Sequence, residues 1–91
     1  MRVTKSNINQ FIEGSSMDCS NKGITHIEYI PDGIKRLYCY NNKLTELPKL
    51  PESLYYLDCH NNNLPYEITI GNIKEHNKLI KRKEILKRIC T

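Results

Sequence analysis

Two stretches of this sequence nearly repeat each other, LYCYNNKL at residues 37–44 and LDCHNNNL at residues 57–64. A shift of 20 residues superimposes them and also aligns a third stretch, MDCSNKGI at 17–24. We call these stretches the first (17–24), second (37–44) and third (57–64) repeats. Self-similarity at a fixed period is typical of repeat proteins, in which each unit buries its apolar side against its neighbours. The aligned positions include Cys19, Cys39 and Cys59; Asn21, Asn41 and Asn61; and Ile24, Leu44 and Leu64.

Apolar and polar residues alternate at the start of each repeat, which is the period of a β-strand with one buried face. In the second repeat, Leu37 and Cys39 alternate with two tyrosines. Strands from successive repeats would be parallel and lie about 4.8 Å apart. We therefore predict about three short parallel strands, near residues 17–20, 37–40 and 57–60.

The chain between these strands contains asparagines and prolines at fixed places. Asn42 and Asn62 follow the strands, where an inward amide would satisfy backbone groups that the bend leaves without partners. Pro48 and Pro51 would keep the returning chain extended, so no helix is expected on the convex side.

The spacing LxxLxCxxNxL at residues 54–64, and IxxLxCxxNxL at residues 34–44, resembles the leucine-rich repeat family. The first repeat departs from this pattern with Gly14 and Lys22 at two of the positions. The stretch ELPKLPESL at residues 46–54 is similar to the short 20-residue subclass of bacterial effectors. The repeats, rich in Asn and Cys, are similar to repeat proteins of giant DNA viruses. The resemblance implies an α/β solenoid, a fold that presents a concave strand face for binding other proteins.

The two ends of the chain are predicted to cover the open ends of the repeats. Residues 1–15 would form an N-terminal cap, with Ser6 or Asn7 capping a short helix that ends near Gly14. The repeats would occupy residues 16–70, and residues 71–91 would form a longer, basic C-terminal capping helix. The apolar face expected for that helix comprises Ile73, Leu79, Ile80, Leu86 and Cys90.

The positive charge is concentrated near the C-terminal end, and the sequence has no long apolar run. The formal net charge is +4, and seven basic residues follow Gly71 against two acidic ones. No apolar run in the sequence resembles a signal peptide or a membrane span. We therefore expect an intracellular, soluble protein, which would lie in the host cytoplasm if it is viral.

The repeated cysteines are expected to be buried, small apolar side chains. One thiol on each strand would make a straight row, whereas zinc requires a tetrahedral set of ligands. Side chains in register would also hold their Cβ atoms about 4.8 Å apart, whereas a disulfide needs about 3.8 Å. Cys90, near the basic C-terminal end, is the better candidate for a reactive thiol.

The sequence carries little that points to catalysis. Asp58 and His60 share a strand face and could form an acid and base pair, but Cys59 would point to the other side of the strand. Phosphate-binding glycine loops and paired metal-binding cysteines are missing from the sequence. We expect no enzymatic activity, no cofactor and no metal site.

The strand face opposite the cysteines is the predicted binding surface. Tyr and Arg are enriched among the residues that contribute most binding energy at interfaces. We predict that an unidentified protein partner binds there, although cross-strand tyrosines would also stabilise the strands themselves. The predicted partner-binding residues are Arg36, Tyr38, Tyr40, Tyr56, Asp58 and His60.

The basic C-terminal segment supports an alternative, less favoured function. Its clustered Lys78, Lys81, Arg82 and Lys83 could contact the phosphates of nucleic acid or an anionic surface. The aromatic residues expected for single-stranded nucleic acid are missing from this segment, and lysine-rich helix faces are usually just solvated. Weak self-association through an end of the chain or through the basic helix is a further expectation.

Overall fold

The computed structural model describes the backbone of residues 1–90 and the side chains of residues 1–83. The chain is compact, with extents of 37 × 27 × 24 Å. Six short strands precede a single long helix within the described residues. The strands are β1 Arg2–Val3, β2 Ile12–Glu13, β3 Ser16–Asp18, β4 His26–Ile27, β5 Arg36–Tyr38 and β6 Tyr56–Asp58; 3-10 helices span Ile8–Phe11 and Ile70–Asn72, and α1 spans Ile73–Cys90.

The predicted α/β solenoid is wrong, because the chain forms two sheets, one of them mixed. Strands β1 and β4 form a two-stranded parallel sheet, which the sequence did not indicate. The second sheet has the order β2-β3-β5-β6, in which β2 is antiparallel to β3 and the other pairs are parallel. The described residues therefore form a small α/β fold with one C-terminal helix.

The N-terminal segment explains most of this difference. The predicted N-terminal helix is only one 3-10 turn, and the Asn7 side chain makes no capping bond to it. Instead, Asn7 Oδ1 accepts a hydrogen bond from the backbone N–H of Thr4 at 2.8 Å. Gly14 then turns the chain at φ +62°, which allows β2 to fold back antiparallel on β3. A left-handed φ is readily adopted by glycine, so Gly14 makes a hairpin where a helix stop was predicted.

The three repeats are nevertheless aligned in parallel, with a register of 20 residues. Met17 is paired with Leu37, which in turn is paired with Leu57. The strands end two residues earlier than predicted, but backbone bonds continue past them, such as the one from Cys39 N to the carbonyl oxygen of Asp58 at 2.9 Å. The predicted in-register alignment of the repeats is thus confirmed, and it places the same side of each strand toward the core.

A row of left-handed asparagines turns the chain out of each strand. Asn21, Asn41 and Asn61 have φ values of +57°, +55° and +56°. Asparagine adopts this conformation more readily than other residues with a Cβ atom. The recurring asparagine at this position therefore serves to adopt the left-handed backbone conformation of the turn.

A second asparagine, Asn42 or Asn62, forms hydrogen bonds between its repeat and the preceding one. The buried Asn42 amide donates to the carbonyl oxygens of Cys19 and Cys39, each at 3.0 Å, and its Oδ1 accepts from the N–H of Ile24 at 3.0 Å. Asn62 donates in the same way to the carbonyls of Cys39 and Cys59. The predicted role of these amides is confirmed.

Two polar side chains of the C-terminal helix form hydrogen bonds with the rest of the chain. His76 is 2% exposed, and its Nε2–H donates to the carbonyl oxygen of Pro48 at 2.9 Å. Its Nδ1 then accepts from the Tyr66 hydroxyl at 2.6 Å. Asn77 makes paired bonds of 2.8 Å with the backbone N–H and carbonyl of Leu50.

The predicted apolar face of the helix is found only in part, and Ile73 packs against the core. Leu79 is 41% exposed, whereas Ile73 and Ile80 are partly buried. The placement of Leu79 on a buried face was therefore wrong. The predictions for Leu86 and Cys90 lie outside the described side chains.

Candidate functional site

The candidate site is the face of the four-stranded sheet that points away from the cysteines. We call it the tyrosine face and define it by Arg36, Tyr38, Tyr40, Tyr56, Asp58 and His60. Arg36 is paired with Tyr56 and Tyr38 with Asp58, as the 20-residue shift predicted. The six predicted side chains are therefore brought to one surface by two adjacent strands and the residues that follow them.

Aromatic rings on this face contact one another across the strands. The Tyr38 and Tyr56 rings are tilted by 41°, with centroids 5.3 Å apart. The rings of Tyr40 and His60 are stacked at 4.9 Å with planes only 3° apart. Such cross-strand pairs stabilise a sheet and restrict the rotamers of the side chains that form them. The face therefore presents aromatic groups in a fixed arrangement.

Polar contacts further restrict the edge of the tyrosine face. Nδ1 of His60 contacts the Asp58 carboxylate, which also lies 3.5 Å from the backbone N–H of His60. The His60 side chain is 58% exposed, so this pair is solvated and contributes little to stability. Its main effect is to orient the imidazole that stacks on Tyr40.

Tyr55 belongs to this region although the sequence analysis did not select it. It is 55% exposed, and the Arg36 guanidinium carbon lies 5.6 Å from its ring centroid. The alternation of a strand predicts that a residue beside an outward Tyr56 points inward. The signal that could have found it is the 20-residue shift, because Tyr55 aligns with the exposed Lys35.

The Ser20 hydroxyl completes the row that contains Tyr40 and His60. Ser20 is 8% exposed, and its Oγ has no hydrogen-bond partner within the described residues. A buried hydroxyl without a partner is uncommon in folded proteins. The first repeat therefore places a small polar group where the other repeats place rings.

The cysteines on the opposite side are poorly suited to act as nucleophiles. Burial raises the pKa of Cys19 to about 12, with a smaller contribution from Asp18. The pKa of Cys39 is also raised, chiefly by burial and then by the neighbouring thiols. Burial raises the pKa of Cys59, which is only partly buried. Since the thiolate is the reactive form, these thiols are expected to be inert at neutral pH.

The residues of the alternative site lie on α1, away from the strands. Lys78, Lys81, Arg82 and Lys83 are all exposed. The helix is attached at Pro48 and Leu50, in the chain that connects the second and third repeats. The tyrosine face and the basic residues are thus separate features, and neither requires the other.

A groove of about 920 Å³ lies between this connecting chain, the segment after β4 and α1. Its floor includes Ile30, Leu47 and Leu50, and Glu28, Glu46 and Lys83 lie along its sides. None of the six tyrosine-face residues lines it. Both acidic and basic residues line it, so its electrostatic character favours no particular ligand.

Three further findings concern the class of the protein. Within the described residues, no group of three or more His, Cys, Asp or Glu side chains could hold a metal ion. No described helix has the length and apolar character needed to cross a membrane. No family model, curated protein or solved structure matches the chain.

Proposed function

We propose that this protein binds a partner protein through the tyrosine face. The observation that carries the proposal is the contact of aromatic rings across the strands, of Tyr38 with its diagonal neighbour Tyr56 and of Tyr40 with His60. Tyr56 is 46% exposed, so an aromatic ring beside Tyr38 remains open to a partner. Tyrosine supplies a large contact area with few rotatable bonds, which lowers the entropy lost on binding.

The charges on the face support a protein partner of mixed polarity. Arg36 is paired with Tyr56 and Asp58 with Tyr38, so one basic and one acidic side chain lie among the tyrosines. Tyrosine and arginine are enriched among the residues that contribute most energy at protein interfaces. The resemblance to leucine-rich repeat proteins, which commonly bind through a strand face, supports the same proposal.

The location that we propose is the interior of a cell. Cys19, Cys39 and Cys59 are free thiols. Reduced thiols persist in the cytosol, whereas extracellular proteins of this size commonly rely on disulfides. The proposed binding involves no covalent chemistry and no cofactor.

The test compares a double tyrosine variant with a matched control. A Tyr38→Ala/Tyr56→Ala protein is used beside a Tyr29→Ala protein, because Tyr29 is also exposed, at 38%, but lies outside the face. Partners are captured from the native cell and identified by mass spectrometry, and their affinities are then measured with purified proteins. We expect the double variant to bind at least about 30-fold more weakly, since each truncated interface tyrosine costs about 1–2 kcal/mol.

The alternative is nucleic-acid binding through the exposed basic residues of α1. A Lys81→Gln/Arg82→Gln/Lys83→Gln protein would then lose retention on DNA or RNA, and the affinity of the parent would fall steeply with salt. Retention of the captured protein partners by the double tyrosine variant would contradict the tyrosine-face proposal. Retention on nucleic acid that disappears only in the triple variant would support the alternative.

A further inference from the structure

Adjacent repeats are joined by a recurring set of backbone hydrogen bonds. In each set, the N–H groups of a cysteine and of the left-handed asparagine donate to carbonyl oxygens in the next repeat. The first repeat bonds to the second, and the second bonds to the third, with nearly equal distances. These bonds are Cys19 to Tyr38 (2.9 Å), Asn21 to Tyr40 (3.1 Å), Cys39 to Asp58 (2.9 Å) and Asn41 to His60 (3.0 Å).

The next repeat also supplies a side-chain amide to each junction. Asn42 Oδ1 accepts from the N–H of Ile24, and Asn62 Oδ1 accepts from the N–H of Leu44, both at 3.0 Å. Each junction between repeats therefore has the same requirements. It needs an extended parallel segment and an asparagine a few residues beyond the strand.

The third repeat has the same groups, but no fourth repeat follows it. Within the described residues, no acceptor is present for the N–H groups of Cys59, Asn61 or Leu64. Strand β6 is the last strand of its sheet. Its side chains Leu57 and Cys59 are only partly buried, although the Cys59 thiol contacts the carbonyl oxygen of Ile68 at 3.4 Å. The open part of the edge is its row of backbone N–H groups, and such a row pairs readily with another chain.

We propose that the free edge of β6 binds an extended segment of a partner protein that runs parallel to it. The segment would carry apolar residues at its first and third positions, an asparagine at the sixth and a leucine at the eighth. This pattern follows from the second and third repeats, which form the same junction within the chain. The docked segment would continue the β5–β6 pairing and supply the missing acceptors for Cys59, Asn61 and Leu64.

The occupant that the structure favours is a different protein rather than a second copy of this chain. A second copy would have to offer the side of a repeat that faces the preceding repeat. In the first repeat that side is covered by β2, and in the second and third repeats it is covered by the preceding repeat. The first repeat also carries Lys22 where the junction requires an asparagine. The second repeat is enclosed between β3 and β6 and cannot pair with another molecule without unfolding.

This site is the edge of β6, whereas the tyrosine face is one side of β5 and β6. The two share β6 but can be tested separately. The edge would recognise backbone groups and an amide, whereas the tyrosine face would recognise side chains. A partner could bind at either surface alone. Failure of one proposal would therefore leave the other unchanged.

The experiment uses a synthetic peptide of the sequence RLYCYNNKL, which corresponds to residues 36–44. The peptide is titrated into the full chain under reducing conditions and followed by amide NMR. We expect shifts and slower hydrogen exchange at Cys59, Asn61 and Leu64. A peptide with Asn42→Ala should bind about ten-fold more weakly or worse, because two hydrogen bonds are lost.

Variants of the protein provide a second, independent measurement. Cys59→Pro removes the N–H that points to the open edge, and proline is tolerated on edge strands at such positions. Cys59→Ala is the matched control, since it alters the thiol but retains the N–H. We expect Cys59→Pro to lose peptide binding and Cys59→Ala to keep it within about two-fold of the parent, with far-UV spectra that show both to be folded.

Each outcome bears on the proposal. Absence of shifts at the three amides at millimolar peptide would overturn it. Equal binding of the parent and Asn42→Ala peptides would also overturn it, since binding would then not depend on the junction. Sedimentation of the protein alone as a dimer that Cys59→Pro dissociates would show that the edge binds a second copy instead.

Discussion

The second and third repeats have nearly the same residues but very different burial. In the second repeat, Leu37, Cys39 and Leu44 are all 0% exposed. The corresponding residues of the third repeat, Leu57, Cys59 and Leu64, are only partly buried. The second repeat has a neighbour on each side, whereas the third has one. Burial here is therefore determined by the neighbours of a repeat and not by its own residues.

The asparagines of the two repeats extend this comparison to hydrogen bonding. Asn42 is 9% exposed and bridges the first and second repeats, whereas Asn62 bridges the second and third and is only partly buried. The same side chain thus holds more buried backbone groups in the middle of the sheet than at its edge. Substitutions at paired positions should therefore have unequal effects.

The largest difference is expected for Asn→Asp at the two bridging positions. Asn42→Asp would place a carboxylate against the carbonyl oxygens of Cys19 and Cys39, where the amide now donates. We expect a loss of about 4 kcal/mol or more in unfolding free energy, and about 2 kcal/mol for Asn62→Asp, which solvent can reach. Urea denaturation followed by circular dichroism measures both. Equal losses would show that the two repeats are equally buried in solution.

The next difference concerns the apolar column. Leu37→Ala should cost about 3 kcal/mol, because it leaves a cavity in a fully enclosed position. Leu57→Ala should cost about half as much, since its site is partly open and can relax. The same urea experiment measures both free energies. A cost for Leu57→Ala that equals or exceeds that for Leu37→Ala would contradict an open edge at β6.

Much of this comparison follows from the sequence, because a shift of 20 residues specifies which residues of neighbouring strands are paired. The shift correctly aligned the strands, the inward leucines and cysteines, and the bridging Asn42 and Asn62. It could not indicate β1 and β4, since two residues are too short to show a period. It also missed the polar anchors His76 and Asn77, which occur once and bond to backbone groups distant in sequence.

The candidate site was predictable to a similar extent. The tyrosine face required only the register and the alternation of the strands. Tyr55 was missed because the alternation of the strand was assumed to include it. It lies just before β6, where two successive residues, Tyr55 and Tyr56, are both exposed. Whether the face binds a protein, and whether the chain is related to leucine-rich repeat proteins, stay predictions.

The second and third repeats should also differ in the reactivity of their thiols. This difference is smaller in energy than those expected for the substitutions above. In a Cys90→Ser background, Cys59 should react with a thiol reagent faster than Cys39 at pH 8, because it is less buried. Single Cys→Ser variants and mass spectrometry identify the labelled thiol. Faster labelling of Cys39 would indicate that the second repeat opens before the third.

The same thiols predict the response to alkaline pH. The pKa of Cys19 rises from 9.0 to about 12 on folding, so the protonated form is favoured in the folded state. This contribution to stability is complete below about pH 9 and is lost as the pH rises toward 12. We expect the urea midpoint to fall over this window, and to fall less in a Cys19→Ser protein. An unchanged slope in that variant would assign the alkaline loss to other groups.

The smallest effect is expected in the first repeat, where Ser20 occupies the row of Tyr40 and His60. Because its buried hydroxyl has no partner within the described residues, Ser20→Ala should leave stability unchanged or raise it by about 1 kcal/mol. Urea denaturation gives the sign, and the affinity of a captured partner gives a second measurement. If the variant is stable but binds the partner more weakly, the hydroxyl is satisfied by the partner, and the tyrosine face extends into the first repeat. If stability falls by more than about 1 kcal/mol, the hydroxyl has an intramolecular partner in solution.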